Sequence, residues 1–115
     1  MVMIRPWNEI RANYADFANA GSSFQAMYQL VSEIEASDYK HGLFGWTSAH
    51  DLCLVQTPVS YPYNGPYLRI SPLADGLLEF RYIDTEIRDK QWHRVVAGAD
   101  GFARLERFFE QLHWF

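Results

Sequence analysis

From Trp7 onward, apolar side chains recur at Trp7, Ile10, Tyr14 and Phe17, a spacing that lines one face of a helix. Pro6 fits the first turn, where its missing N–H has no partner to lose, and Gly21 closes the run. The stretch "SSFQ" then reads as a capping box, with the Ser22 hydroxyl accepting from the Gln25 amide while the Gln25 side chain reaches back. A second stripe of Phe24, Met27, Tyr28, Val31 and Ile34 ends near Ala36, so the first third of the chain predicts an αα-hairpin.

Beyond "SDYKHG" the period changes from helical to alternating. Five strands are predicted between turn residues: Leu43–Ser48, Leu52–Gln56, Tyr67–Ser71, Leu77–Ile83 and Gln91–Val96. Most of their connections are too short for crossovers, which favours sequential antiparallel pairing, a meander. After "GADG" a third helix is predicted, with Asp100 as N-cap and Phe102, Leu105, Phe108, Phe109 and Leu112 as its apolar face; Trp114 and Phe115 are expected to dock. The sum is a single α+β domain over residues 1–115: an N-terminal αα-hairpin, a five-stranded antiparallel meander and a C-terminal helix, with the helices on one face of the sheet.

Alternation assigns Phe44, Trp46, Leu52, Leu54, Leu68, Ile70, Leu78, Phe80, Tyr82, Trp92 and Val96 to the covered face. The other face then carries Leu43, Thr47, Cys53, Val55, Tyr67, Arg69, Glu79, Arg81, His93 and Val95, a mixture of apolar and charged groups. Pairing Ser71 with Leu77 across "PLADG" predicts Arg69 opposite Glu79 and Tyr67 opposite Arg81. Neither arginine is expected to enter the core, so charge reversal at both is expected to leave the fold intact.

Composition narrows the function classes. Forty-nine per cent hydrophobic residues, with 4 Trp, 7 Tyr and 8 Phe, give enough apolar surface to exclude a disordered chain. Ten basic against fourteen acidic residues, the basic ones scattered, remove the electrostatic drive for binding phosphate backbones. A lone cysteine forms no intrachain disulfide, and no stretch has signal-peptide or membrane-spanning character, so a cytoplasmic protein is expected, with no nucleic acid or membrane as partner.

The familiar chemistries find little support. His50 and Cys53 are three apart with no second ligand pair, which argues against zinc. Cys53 and His93 share a face, but in a sequential meander their strands are about 14 Å apart, too far for a nucleophile and its base. G-x-S-x-G and glycine-rich phosphate loops are missing. No catalytic residue, metal or cofactor is therefore assigned, and the balance leans away from an enzyme.

The stretch "SYPYNGPY", residues 60–67, cannot be a two-residue hairpin turn, because Pro66 lacks the N–H that would close it at Asn64-Gly65. Its prolines repeat every four residues rather than in the P-x-x-P pattern of a docking ligand, so it reads as a stiff, packed connection. The reading that emerges is a small protein-binding module, engaging a protein partner or a second copy of itself through the open sheet face. Its candidate contacts are Tyr61, Tyr63, Tyr67, Arg69, Glu79, Arg81 and His93. The alternative is an anion-accepting pocket between that face and the 58–66 loop, lined by Arg69, Arg81 and His93.

Overall fold

The computed structural model describes residues 2–115. Helix α1 spans Trp7–Ala15 and α2 spans Ser22–Ala36. Strands β1 (Phe44–Ser48), β2 (Asp51–Val55), β3 (Tyr67–Pro72), β4 (Leu77–Ile83) and β5 (Trp92–Ala97) follow, and α3 (Gly101–Leu112) ends the sequence of elements. The sheet runs in the order β1-β2-β3-β4-β5, antiparallel throughout, which is the meander expected from the short connections. Short 3₁₀ turns join several of these elements. No helix among the described residues is long and apolar enough to cross a membrane.

The main core forms where the three helices meet one face of the sheet. Ile10 and Tyr14 of α1, Met27, Leu30, Val31 and Ile34 of α2, and Leu105, Phe108 and Phe109 of α3 close over Leu52, Leu54, Leu68, Ile70, Leu78, Phe80 and Val96. Trp114 and Phe115 dock as expected: Trp114 stacks on Phe109 at 6.0 Å, and Phe115 lies 5.0 Å from Tyr39 and 4.9 Å from Phe109. His113, in a left-handed conformation, turns the chain back so that the Trp114 amide bonds the Phe109 carbonyl.

Local capping differs from expectation. α2 begins at Ser22 itself, Gly21 holds the N-cap position, and no side chain caps the helix; the Gln25 amide bonds the Gly21 carbonyl instead. Ser23 is the residue whose hydroxyl is used, donating to the Leu73 carbonyl across to the β3–β4 turn. Asp100 does occupy the N-cap position of α3, without a side-chain bond.

Two sheet assignments are corrected. Phe44 and Trp46 lie on the open face, not the helix face, because Trp46 pairs with Cys53 and Phe44 with Val55. The helix side of β1 is given to the small Gly45, over which Trp7 and Ile10 pack so closely that a Cβ would sit 3.1 Å from the Trp7 ring; Leu43, just before β1, fills the core. The β3–β4 register is also displaced by two residues: Arg69 faces Arg81, Tyr67 faces Ile83, and Ser71 faces Glu79. Asp75 and Gly76 both take positive φ, 61° and 75°, and the Leu73 amide bonds the Leu77 carbonyl, so the reversal is tighter than "PLADG" suggests. A slip of two keeps every side chain on its own face, so these two strands keep their alternation while their partners change.

Candidate functional site

The open face is two regions with different character. Toward β1 and β2 it is covered. Trp46, Cys53 and Val55 are buried beneath Met3 and Ile4 of the N-terminal segment and Val59 and Tyr63 of the 58–66 loop, with Phe44 and Tyr67 at the margin. The N-terminal segment is fixed by isolated antiparallel bridges, Val2 to Ser60 and Arg5 to Gly45. The apolar run "MVMI" before Pro6 is the sequence signal for this cover, and helix-centred reading passes over it.

The loop itself is closed on its own backbone. The Tyr63 hydroxyl donates to the Pro66 carbonyl at 2.7 Å, its ring packs edge-on against Trp46 at 6.3 Å, and the Thr85 hydroxyl donates to the Asn64 carbonyl at 2.6 Å. Tyr63 is thus committed to packing against the Trp46 side of the sheet. Tyr61 points away at the loop tip, 68% exposed.

Toward β3, β4 and β5 the face is uncovered. One lateral row crosses the entire sheet: Trp46, Cys53, Arg69, Arg81 and His93, each opposite the next on the neighbouring strand. Two guanidinium groups therefore stand side by side. Asp51, at the start of β2, holds them together: Arg69 Nε donates to Asp51 Oδ2 at 2.7 Å and Arg81 Nη2 reaches the same oxygen at 3.4 Å. Arg81 Nη2 also donates to Ser71 Oγ at 3.1 Å, and Glu79 Oε1 lies 3.4 Å from Arg81 Nε. That buried Nε has no hydrogen-bond partner, because the Glu79 contact is an ion pair without hydrogen-bond geometry.

Asp51 is the open-face residue that sequence reasoning missed. It sits at a strand end, where an acidic residue reads as turn punctuation, and only the register brings it to the arginines. Two arginines facing two carboxylates leave this cluster formally neutral, so it does not gather charge for an anion. It also ties the arginines into the fold, so reversing their charge would place new carboxylates against Asp51 and Glu79, contrary to the expectation that both tolerate it.

Electrostatics agree with a structural assignment for these groups. Burial opposes the charge of Arg69, but the neighbouring Asp51 and Tyr67 outweigh it and raise the guanidinium's pKa above its ordinary value. Burial pushes the Cys53 thiol up to about 12, which keeps it protonated and a poor nucleophile. His50 stands apart from Cys53 chemistry: its ring lies edge-on to Phe17 and Phe24, 5.1 Å from each, and its carbonyl accepts from the Tyr14 hydroxyl. Among the described residues no three His, Cys, Asp or Glu side chains gather as a metal site would require.

Of the seven candidate contacts, the structure brings Tyr67, Arg69, Glu79, Arg81 and His93 onto the open face. Glu79, Arg81 and His93, with Tyr82, Ile83, Gln91 and Trp92, line a shallow cleft of about 490 Å³. Tyr61 and Tyr63 belong to the 58–66 loop, which joins β3 at Tyr67, opposite Ile83. No protein-family model matches the chain, and neither curated proteins nor solved structures give a match.

Proposed function

We propose that this chain is a protein-binding module without chemistry of its own, and that its contact surface is the uncovered half of the open sheet face together with the tip of the 58–66 loop. The observation that carries this reading is the division of the face. One half is sealed by the chain's own N-terminal segment and loop, while the other presents Tyr67, Ile83, His93 and Val95 around an internally neutral arginine–carboxylate cluster. Such a surface mixes aromatic, aliphatic and arginine groups, the composition that protein interfaces favour, and its salt bridges are satisfied before a partner arrives. A cytoplasmic setting accords with the unpaired, buried Cys53.

The test uses the two exposed groups that the fold does not need. Wild-type chain and the Tyr61→Ser/His93→Ala variant are used to capture binding proteins from the native cell extract, and the captured protein is then purified and titrated. Wild type is expected to protect β3 to β5 amides from hydrogen exchange on binding, and the variant to bind at least tenfold more weakly. A partner that binds both equally, or that protects only the helices, overturns the proposal.

A further inference from the structure

The 58–66 loop holds a pair of residues whose chemistry the packing of Tyr63 leaves unused. Asn64 is the one asparagine of this chain with a glycine after it; Asn8, Asn13 and Asn19 precede Glu9, Tyr14 and Ala20. At those three positions the following amide is restrained. The Glu9 amide bonds the Pro6 carbonyl at 3.0 Å, the Ala20 amide bonds the Phe17 carbonyl at 2.9 Å, and Tyr14 follows Asn13 within α1. At Asn64 the reverse holds. Its side chain is exposed, and among the described residues neither its carboxamide nor the Gly65 amide has a hydrogen-bond partner. Gly65 has no Cβ to shield its nitrogen, and Pro66 has no N–H to fold the pair into a hydrogen-bonded turn.

We infer that Asn64 is a site of spontaneous self-modification, at which the Gly65 amide nitrogen attacks the Asn64 side-chain carbonyl, and that Thr85 and Tyr63 set the rate. The amide gives its proton to base and its nitrogen bonds Cγ; the bond from Cγ to the carboxamide nitrogen breaks, and that nitrogen leaves as ammonia with a proton from water. A second water opens the cyclic imide at either carbonyl, giving aspartate or isoaspartate at this position. No oxidant or cofactor enters. Because nucleophile and electrophile belong to adjacent residues, only their orientation limits the attack. The fold controls that orientation. The Asn64 carbonyl, which accepts from the Thr85 hydroxyl at 2.6 Å, lies in the same planar peptide as the Gly65 nitrogen, so the nitrogen cannot swing toward Cγ without breaking this bond. The Tyr63 hydroxyl spans the pair to the Pro66 carbonyl at 2.7 Å and restrains it from the other side. Conversion also feeds back on the loop. It sets a carboxylate next to the turn that carries Asp84 and Glu86 on either side of Thr85, and isoaspartate lengthens the main chain between Tyr63 and Pro66. Both changes loosen the cover over Trp46. This reaction belongs to the chain alone and does not rest on the partner reading of the preceding section.

Ageing the purified full chain at physiological temperature, in neutral and in mildly alkaline buffer, with peptide mass spectrometry at each asparagine, tests the site. Conversion is expected to be several times faster at Asn64 than at Asn8, Asn13 or Asn19 and to rise with pH. Asn64→Gln, whose ring closure is larger and slower, is expected to abolish it. The same chain unfolded in guanidinium chloride supplies the unrestrained rate. Folded wild type is expected to run several times below that rate, and Thr85→Val and Tyr63→Phe, each of which removes a hydroxyl and keeps the side-chain shape, to move toward it. Aged wild type is expected to show a shifted Trp46 indole resonance that aged Asn64→Gln does not. A folded wild type whose Asn64 stays intact while the unfolded chain converts completely overturns the inference, as does conversion no faster at Asn64 than at the other three asparagines. Rates in Thr85→Val and Tyr63→Phe equal to that of wild type overturn the control assigned to the two hydroxyls, and a converted chain with Trp46 unmoved overturns the effect on the cover.

Discussion

Arg69 and Arg81 face each other directly across β3 and β4, and a single oxygen of Asp51 receives both. Two cations side by side repel, so the carboxylate does more than form one ion pair. Side-chain exposures of 22% for Arg69 and 18% for Asp51 put this contact between an exposed pair, worth up to about 1 kcal/mol, and a buried one, whose breaking costs about 3 or more. Asp51→Ala is therefore expected to cost about 2 kcal/mol in denaturant unfolding. Removing Arg69 as well should restore part of that loss, because the repulsion goes with it. Strictly additive losses in the double-mutant cycle would mean the three groups do not act together.

Phe109 is almost completely buried in α3 and touches Tyr39, Trp114 and Phe115, with ring centroids 5.0, 6.0 and 4.9 Å away. Truncating a buried phenylalanine typically costs about 3 to 5 kcal/mol against a total of about 5 to 15. Phe109→Ala should lower Tm sharply and free the Trp114–Phe115 tail. An unchanged melting curve would show that α3 does not close the core.

These two sites also show what the chain discloses before folding. The apolar stripe of α3 is legible because helical spacing places Leu105, Phe108 and Phe109 on one face whatever the partner; the same holds for the alternation of β3, β4 and β5. The phase of β1 was not legible: "LFGWTS" is apolar on both of its faces, and only the packing of Trp7 and Ile10 onto Gly45 decides between them. Nor was the arginine pair, since it depends on a left-handed Asp75 that alternation cannot register. Asp51 joins the cluster through pairing at long range, which leaves no local mark in the sequence.

Cys53 supplies a prediction in pH. A thiol's ordinary pKa of 9.0 is pushed up by burial to about 12 in the fold, so the folded chain holds the proton more tightly than the unfolded one. Stability from this group is complete below pH 9 and is lost as pH rises from 9 toward 12, by about 4 kcal/mol at most. Tyr14 is raised by burial as well and adds loss of the same sign. Cys53→Ala should flatten the alkaline limb of a urea-unfolding series at fixed temperature while lowering stability at neutral pH through the cavity it leaves. If both proteins lose stability in parallel above pH 9, the thiol is not the titrating group.

Gly65 gives the sharpest test of the loop. A Cβ built there would lie 2.5 to 2.8 Å from the Tyr63 ring and hydroxyl, far inside van der Waals contact. The ring cannot swing aside freely, because it is held by its bond to the Pro66 carbonyl and by its packing on Trp46. Gly65→Ala should therefore expel Tyr63 and uncover Trp46, at a cost in the range of about 1 to 3 kcal/mol usual for overpacking. The change should appear as a shifted Trp46 indole resonance and a weaker near-ultraviolet circular dichroism signal. Tyr63→Ala removes the obstacle, so adding Gly65→Ala to it should cost almost nothing further. If Gly65→Ala melts with the wild type and leaves the Trp46 resonance in place, Tyr63 is not the lid over that side of the sheet, and the division of the open face into a sealed half and a free half fails with it.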